Sequence, residues 1–192
     1  MYSELHARSA FSFLQGASLP EEMAEECARL GLPALALLDA DGVYGAPRFH
    51  LAARRLGLRA HIGSEIMVSG FTFQVSRGPR QLETCNLKRE TSRLPLLVES
   101  RAGYQNLCRL ITRLKLRAPK HAKPEETAAR LDDLATHAAG LICLTGGDNG
   151  PLAAALAQGG ADAGRRCLEQ LIALFGRDRV YVELQRHFER SE

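Results

Sequence analysis

The sequence predicts an α/β fold in which helices alternate with parallel strands. Short apolar runs recur between amphipathic segments of helical period, and residues 34–38 form one continuous apolar run, typical of a strand covered on both faces. Glycines stand where several of the predicted helices should end, among them Gly31, Gly57 and Gly176. Six strands can form an open sheet or most of a barrel. We favour a barrel-like curl, because the alternation runs without a change in loop character.

The first third of the chain predicts two strand–helix units and a third strand. Ser18 and Glu21 form a capping box at the start of the first helix, and Gly31 is its expected left-handed end. The pattern predicts strands over 2–8, 34–38 and 59–63, helices over 18–30 and 46–56, and a hairpin over 66–75 that turns at Ser69 and Gly70.

The rest of the chain continues the alternation within what we expect to be a single domain, residues 1–192. Residues 77–92 are polar and predict a loop or flap. The remaining predicted elements are strands over 94–98, 141–145 and 180–184, and helices over 101–117, 125–137, 151–158 and 161–175.

Composition is that of an ordinary globular domain, with 45% hydrophobic and 24% charged residues in a chain of 192. No apolar run approaches the ~20 residues of a membrane helix, so no membrane partner is expected. Five cysteines without a C-x-x-C pair indicate a reducing environment and predict a cytoplasmic location. A formal net charge of +3 is too small to argue nucleic-acid binding by itself.

Between residues 101 and 124 there are seven basic residues and no acidic one. Arg109, Arg113 and Arg117 recur every four residues, opposite the apolar face of a predicted helix, and Lys120 and Lys123 follow. This basic stripe could contact DNA phosphates or an acidic surface of a neighbouring domain; a solvated helix face is the alternative.

Several stretches together resemble the polymerase and histidinol phosphatase (PHP) family. More narrowly, they resemble the N-terminal PHP domain of the bacterial error-prone C-family DNA polymerase III alpha subunit. The matching stretches keep their order and spacing over essentially the whole chain: residues 2–18, 31–45, 63–65, 94–98 with 103–107, 140–145 and 180–187.

This resemblance implies a distorted seven-stranded (β/α) barrel, which would be incomplete here, with about six parallel strands and the closing strand missing. It also implies metal-dependent phosphoesterase relatives. Their strand ends carry up to nine ligands around two or three metal ions. The parent of the narrower family is a DNA-directed DNA polymerase, and this chain is expected to be inactive by itself.

Carried over position by position, the ligand pattern is broken. His6 is kept, but the second histidine of the opening His-x-His motif is replaced by Arg8. Asp39 is kept, but the histidine that follows it in the family pattern is replaced by Ala40. Glu65 matches a glutamate ligand.

Three further residues stand at positions of the family's ligand pattern. Gln15 replaces an acidic or histidine ligand, and Arg93 stands where a histidine opens the fourth strand. Cys143 falls on a position that is cysteine in many polymerase members. The closing Asp-x-His belongs to a seventh strand.

Of these replacements, Arg8 is the most unfavourable for a metal cluster. A guanidinium in place of an imidazole removes a ligand and adds a permanent cation, which at ~4–6 Å repels a dication by several kcal/mol. We expect Arg8 to pair with Glu65 or Asp39 instead.

Each of these residues also has a structural alternative. His6 and Glu65 could bind a residual metal, or be a hydrogen-bonded pocket histidine and the partner of Arg8. Cys143 could be a ligand or a plain core cysteine, and Glu183 and His187 could face the pocket or the solvent.

We therefore expect a metal-depleted PHP domain with a structural, interdomain role in DNA synthesis and repair, including translesion synthesis. Its partners would be polymerase domains of the same or a neighbouring chain, with no cofactor. One alternative is a metal-dependent phosphoesterase or proofreading-type nuclease that holds one divalent ion (zinc, manganese or magnesium). A second is a DNA-binding accessory module acting through the basic stripe.

Overall fold

The computed structural model of the chain describes residues 2–71 and 91–185. Over these residues six strands form one curled sheet, a half-barrel flanked by five helices. The strands are β1 (Glu4–Ala7), β2 (Ala34–Ala40), β3 (Arg59–Ser69), β4 (Thr91–Val98), β5 (Leu141–Leu144) and β6 (Val180–Tyr181). The helices are α1 (Pro20–Arg29), α2 (Ala46–Arg55), α3 (Arg101–Arg117), α4 (Leu131–His137) and α5 (Pro151–Phe175).

The strands lie in the sheet in chain order, and one of them runs against the others. β1, β2 and β3 are mutually parallel and β5 is parallel to β6, but β4 is antiparallel to both β3 and β5. The prediction of six parallel strands is therefore wrong at β4. An apolar run indicates a strand without indicating its direction, which depends on where the preceding connection leads the chain.

β3 is one strand of 11 residues that pairs along its second half with β4, from Gly63 with Leu97 to Ser69 with Thr91. Residues 66–69 of the predicted hairpin over 66–75 therefore pair with β4, which begins at Thr91, and not with a strand that follows a turn at Ser69 and Gly70. Residues 72–75 of that prediction lie outside the described residues. Residues 77–90 of the predicted flap lie outside the described residues, and its last two residues belong to β4.

Helix ends follow the sequence signals closely, with two corrections. Gly31 adopts φ +68° after α1, as predicted. The cap of α1 is one residue later than expected, because the backbone N–H of Leu19 donates to the Glu22 carboxylate at 2.8 Å. The predicted helix 125–137 is broken: a 3-10 turn spans Pro124–Thr127, and Ala129 then hydrogen-bonds to Met67 and Ser69 at the edge of β3 before α4 begins.

The last long helix is interrupted at Gly159 and Gly160, where the backbone is not helical, and this is where the two predicted helices meet. Buried side chains pack on both faces of the sheet. Ala36, Leu38 and Leu97 lie in one cluster with Leu144, and a larger cluster joins β3–β5 to α3 and α5. Among the described residues, no helix is long and apolar enough to cross a membrane.

Candidate functional site

The polar residues of interest lie where the parallel pairing of three neighbouring strands ends, within a strand or directly after it. His6 lies in β1 and Arg8 directly after it, Asp39 and Ala40 end β2, and Glu65 pairs with Ala40 across β3. Because parallel strands end at the same edge of a sheet, these side chains converge there, where α/β folds commonly place their chemistry.

Arg8 and Glu65 form the central ion pair. Arg8 Nη2 donates to Glu65 Oε1 at 2.6 Å, so the guanidinium takes the first of its two expected partners. The Glu65 side chain is only 3% exposed and that of Arg8 is 30% exposed. Charge-assisted hydrogen bonds of this kind are strong when they are shielded from water.

His6 lies between two carboxylates. Its Nδ1 is 2.6 Å from Glu183 Oε1, and its Nε2 is 3.4 Å from Glu65 Oε1. Burial disfavours the imidazolium, but the contacts with Glu183 and Glu65 outweigh it and raise the pKa of His6 to about 9. His6 is therefore a cation at neutral pH. His6, Arg8, Glu65 and Glu183, which we call the strand-end cluster, carry two positive and two negative charges.

The charge of Glu65 is stabilised by the same partners. Burial alone would raise its pKa, yet the His6 ring, whose Nε2 is 3.4 Å from Glu65 Oε1, and the Arg8 guanidinium hold the pKa of this carboxyl below its usual range. Two carboxylate atoms of the cluster, Glu65 Oε2 and Glu183 Oε2, are buried without a hydrogen-bond partner among the described residues.

Asp39 takes no part in these ion pairs and instead binds Ser9 and Ser12. Its carboxylate accepts hydrogen bonds from the Ser9 backbone N–H and the hydroxyls of Ser9 and Ser12, at 2.8–2.9 Å. The Ser12 hydroxyl in turn accepts from the Ala40 N–H at 3.1 Å. Asp39 thus ties the loop after β1 to the end of β2, and it is 1% exposed.

The other positions that depart from the family pattern line a polar cleft of about 330 Å³ beside the cluster. Gln15 and Arg93 face it together with Arg8 and Asn149. Arg93 Nη1 also donates to Asp41 Oδ2 at 2.6 Å, which forms a second ion pair at the same edge of the sheet.

Cys143 does not reach this cleft. It is fully buried in β5, and burial raises the pKa of its thiol far above the usual range, which disfavours the thiolate form that a nucleophile or a metal ligand needs. His187 lies outside the described residues. Glu183 does reach the cluster, where it contacts His6. From the sequence it could have faced either the pocket or the solvent. Asp41, Ser9 and Ser12 had no sequence signal as site residues.

The basic stripe of α3 is partly neutralised from within the domain. Arg117 donates to Asp133 Oδ2 at 2.7 Å and to the Ala128 carbonyl at 2.8 Å, and Arg113 lies 3.3 Å from Asp133 Oδ1. Burial acts against the charge of Asp133, but the Arg130 N–H and the two guanidinium groups lower the pKa of this carboxyl. Arg109 has no ion pair within the part of the chain that the structure describes, and neither do Lys120 and Lys123.

Over residues 2–71 and 91–185, no group of three or more His, Cys, Asp or Glu side chains is placed to hold a metal ion. A divalent metal requires neutral imidazole and free carboxylate oxygens. One oxygen of Glu65 binds the Arg8 guanidinium, whereas Glu65 Oε2 and Glu183 Oε2 have no hydrogen-bond partner among the described residues.

The chain is similar in sequence to error-prone DNA polymerases. The error-prone DNA polymerases of Mycolicibacterium paratuberculosis and Mycobacterium tuberculosis are 44% and 42% identical to the chain over 189 and 193 residues, respectively. Each match covers 97% of this chain and 16% of the relative, so the chain spans about a sixth of the length of these relatives.

Among solved structures, an amidohydrolase from Chromobacterium violaceum, with bound sulfate and no metal, matches with a TM-score of 0.55 and 17% identity. The match covers 95% of this chain and 76% of that one, and it shows a shared fold. The family described as PHP domain matches residues 4–187. With nearly its whole length inside that match, the chain belongs to the PHP domain family.

Proposed function

We propose that this chain is the PHP domain of an error-prone DNA polymerase alpha subunit, that ion pairs replace its metal centre, and that it supports neighbouring polymerase domains in DNA synthesis and repair. The observation that carries the proposal is the hydrogen bond of 2.6 Å from Arg8 Nη2 to Glu65 Oε1. It puts a protein cation on the carboxylate that matches the family's glutamate ligand.

Charge balance supports the same conclusion. The strand-end cluster is neutral when His6 is protonated, so a dication entering it would meet two cations and compete with Arg8 for Glu65. Buried ion pairs tolerate such a change poorly, since removing one partner leaves the other charge uncompensated. A domain built in this way can hold its shape without a metal ion.

The length of the relatives supports this proposed role. In the error-prone polymerases that match, the corresponding segment is 16% of a much longer chain. A domain without a reactive centre, in a chain of that kind, contributes through its contacts with the other domains.

Metal analysis tests the proposal. The purified chain is dialysed against Zn²⁺ or Mn²⁺, and bound metal is measured by mass spectrometry for the wild type, Glu65→Ala and the exposed control Glu26→Ala. We expect substoichiometric metal in all three, and no metal-stimulated hydrolysis of a phosphomonoester. One equivalent of metal that disappears only in Glu65→Ala would overturn the proposal.

The buried Glu65 Oε2 and Glu183 Oε2 atoms favour the second candidate, a phosphoesterase or nuclease with a single residual metal, because buried acceptors without a donor attract cations. The same dialysis experiment separates the two candidates. A DNA-binding role for the basic stripe would rest on Arg109, Lys120 and Lys123, because Arg113 and Arg117 are engaged with Asp133.

A further inference from the structure

The loop between β1 and α1, residues 10–19, presents two large apolar side chains to solvent. Phe13 is 83% exposed and Leu14 is 89% exposed, and Phe11 and Leu19 beside them are about 40% exposed. Single exposed apolar residues are common on protein surfaces. Two adjacent ones at the tip of a loop form a feature of the kind that binding partners cover.

This loop is held rigidly. The buried carboxylate of Asp39 fixes Ser9 and Ser12, and the Ser12 carbonyl accepts from the backbone N–H groups of Gln15 and Gly16 at 2.9 Å. A Cβ on Gly16 would lie 2.1 Å from the Ser9 carbonyl oxygen, so the loop closes tightly on itself. Phe13 and Leu14 are therefore presented by a preorganised turn, which reduces the entropy lost when a partner binds them.

Leu14 adopts φ +62°, a left-handed conformation that is unfavourable for a residue with a branched side chain and easy for glycine. The side chain gains no burial inside the domain in return, since it is almost fully exposed. Backbone strain that brings no gain in packing is found most often at functional and binding sites.

The chemistry of the loop selects the partner. Residues 9–19 contain no charged side chain, and the flanking Arg8 and Arg48 are paired with Glu65 and Glu21. A loop without free cations does not suit DNA phosphates, which are bound through basic residues. An apolar loop tip suits an apolar groove on a protein.

We propose that the β1–α1 loop docks through Phe13 and Leu14 into an apolar groove of a polymerase domain. This domain would be of the kind that forms the other five-sixths of the error-prone relatives, of which this chain spans 16%. The inference rests on the proposed support role and deepens it, because it names the surface through which support is given.

Co-expression tests the assignment. The tagged chain is produced together with the Mycobacterium tuberculosis error-prone DNA polymerase lacking its matched segment, and the amount of polymerase captured on the tag is measured. The variants are Phe13→Ser with Leu14→Gly, and the control Leu116→Ser, which changes an 81% exposed leucine on α3. Thermal melting of each isolated variant accompanies the capture.

We expect the wild type and Leu116→Ser to capture the polymerase, and the loop variant to capture at least tenfold less. The loop variant should also melt no lower than the wild type, because Leu14→Gly relieves strain and each change removes little buried surface. Capture that is equal for the loop variant and the wild type would overturn the docking surface while leaving the support role intact. No capture by the wild type would overturn both.

Discussion

Replacing Arg8 by methionine removes the guanidinium that compensates Glu65 and keeps much of the apolar volume of the side chain. Breaking one partner of a buried ion pair typically costs ~3–5 kcal/mol. The cost should be smaller here, because Arg8 is 30% exposed and His6 remains 3.4 Å from Glu65. We therefore expect Arg8→Met to lower the free energy of unfolding by about 2–3 kcal/mol, by the same reasoning.

The assay is urea unfolding at pH 7 followed by circular dichroism. Arg29→Met is the matched control, since Arg29 pairs with Glu26 on the surface of α1 with side chains 68% and 53% exposed. An exposed pair contributes little to stability, so this variant should unfold like the wild type. For a domain of this size, the loss in Arg8→Met also corresponds to a melting temperature lower by roughly 5–10 °C.

A double variant sharpens the experiment. Arg8→Met combined with Glu65→Leu removes both charges, so no uncompensated carboxylate remains, and it should recover part of the stability that Arg8→Met loses. The reasoning is refuted if Arg8→Met unfolds no more easily than Arg29→Met. The single variant Glu65→Leu is measured as well. The reasoning is also refuted if the double variant loses as much unfolding free energy as Arg8→Met and Glu65→Leu lose when their separate losses are added.

Three further predictions concern His6, Arg117 and Cys143. His6 binds its proton more tightly in the folded chain, with a pKa of about 9 against 6.5, so its stabilisation is complete below pH 6.5 and is lost as the pH rises through 9; by linkage it is worth about 3 kcal/mol at most. Unfolding free energies from pH 6 to 10 should therefore fall more steeply in the wild type than in His6→Gln, and parallel curves would contradict this. Arg117→Ala should cost about 1–3 kcal/mol, because it leaves the buried Asp133 carboxylate with only the Arg130 N–H and the more distant Arg113 among the described residues, whereas Arg109→Ala should be neutral in the same urea assay; equal losses would exclude a structural role for the Asp133 contacts. Cys143, whose thiol is buried with a strongly raised pKa, should react with a thiol reagent only after unfolding, and mass spectrometry of the labelled native chain that finds it modified early would show the core to be open.

Sequence patterns predicted the individual elements well because each depends on residues close together in the chain. The apolar run of β2, the amphipathic period of α3 and the left-handed glycine after α1 all correspond to elements of the structure. The family and the α/β class were also predicted, and the PHP match over residues 4–187 confirms the family.

Errors occurred where an element depends on a distant partner. The direction of β4 was wrong because it depends on the path of the chain between β3 and Thr91. The break before α4 was missed because Ala129 leaves the helical path to hydrogen-bond with the edge of β3. Asp39 was considered as a partner of Arg8, but the hydroxyls of Ser9 and Ser12 occupy its carboxylate.

What could be read from the order of residues is the succession of strands and helices, the family, and the presence of Arg8 where the ligand motif of the family would have histidine. Which atoms meet was decided by folding. Arg8 reaches Glu65 across 57 positions of the chain because β1, β2 and β3 are parallel neighbours in one sheet. His6 reaches Glu183 across 177 positions because the curl of the sheet brings its first and last strands together. Local preferences act over one or two turns of chain, whereas the register and curvature that bring these charges together depend on the packing of the whole domain.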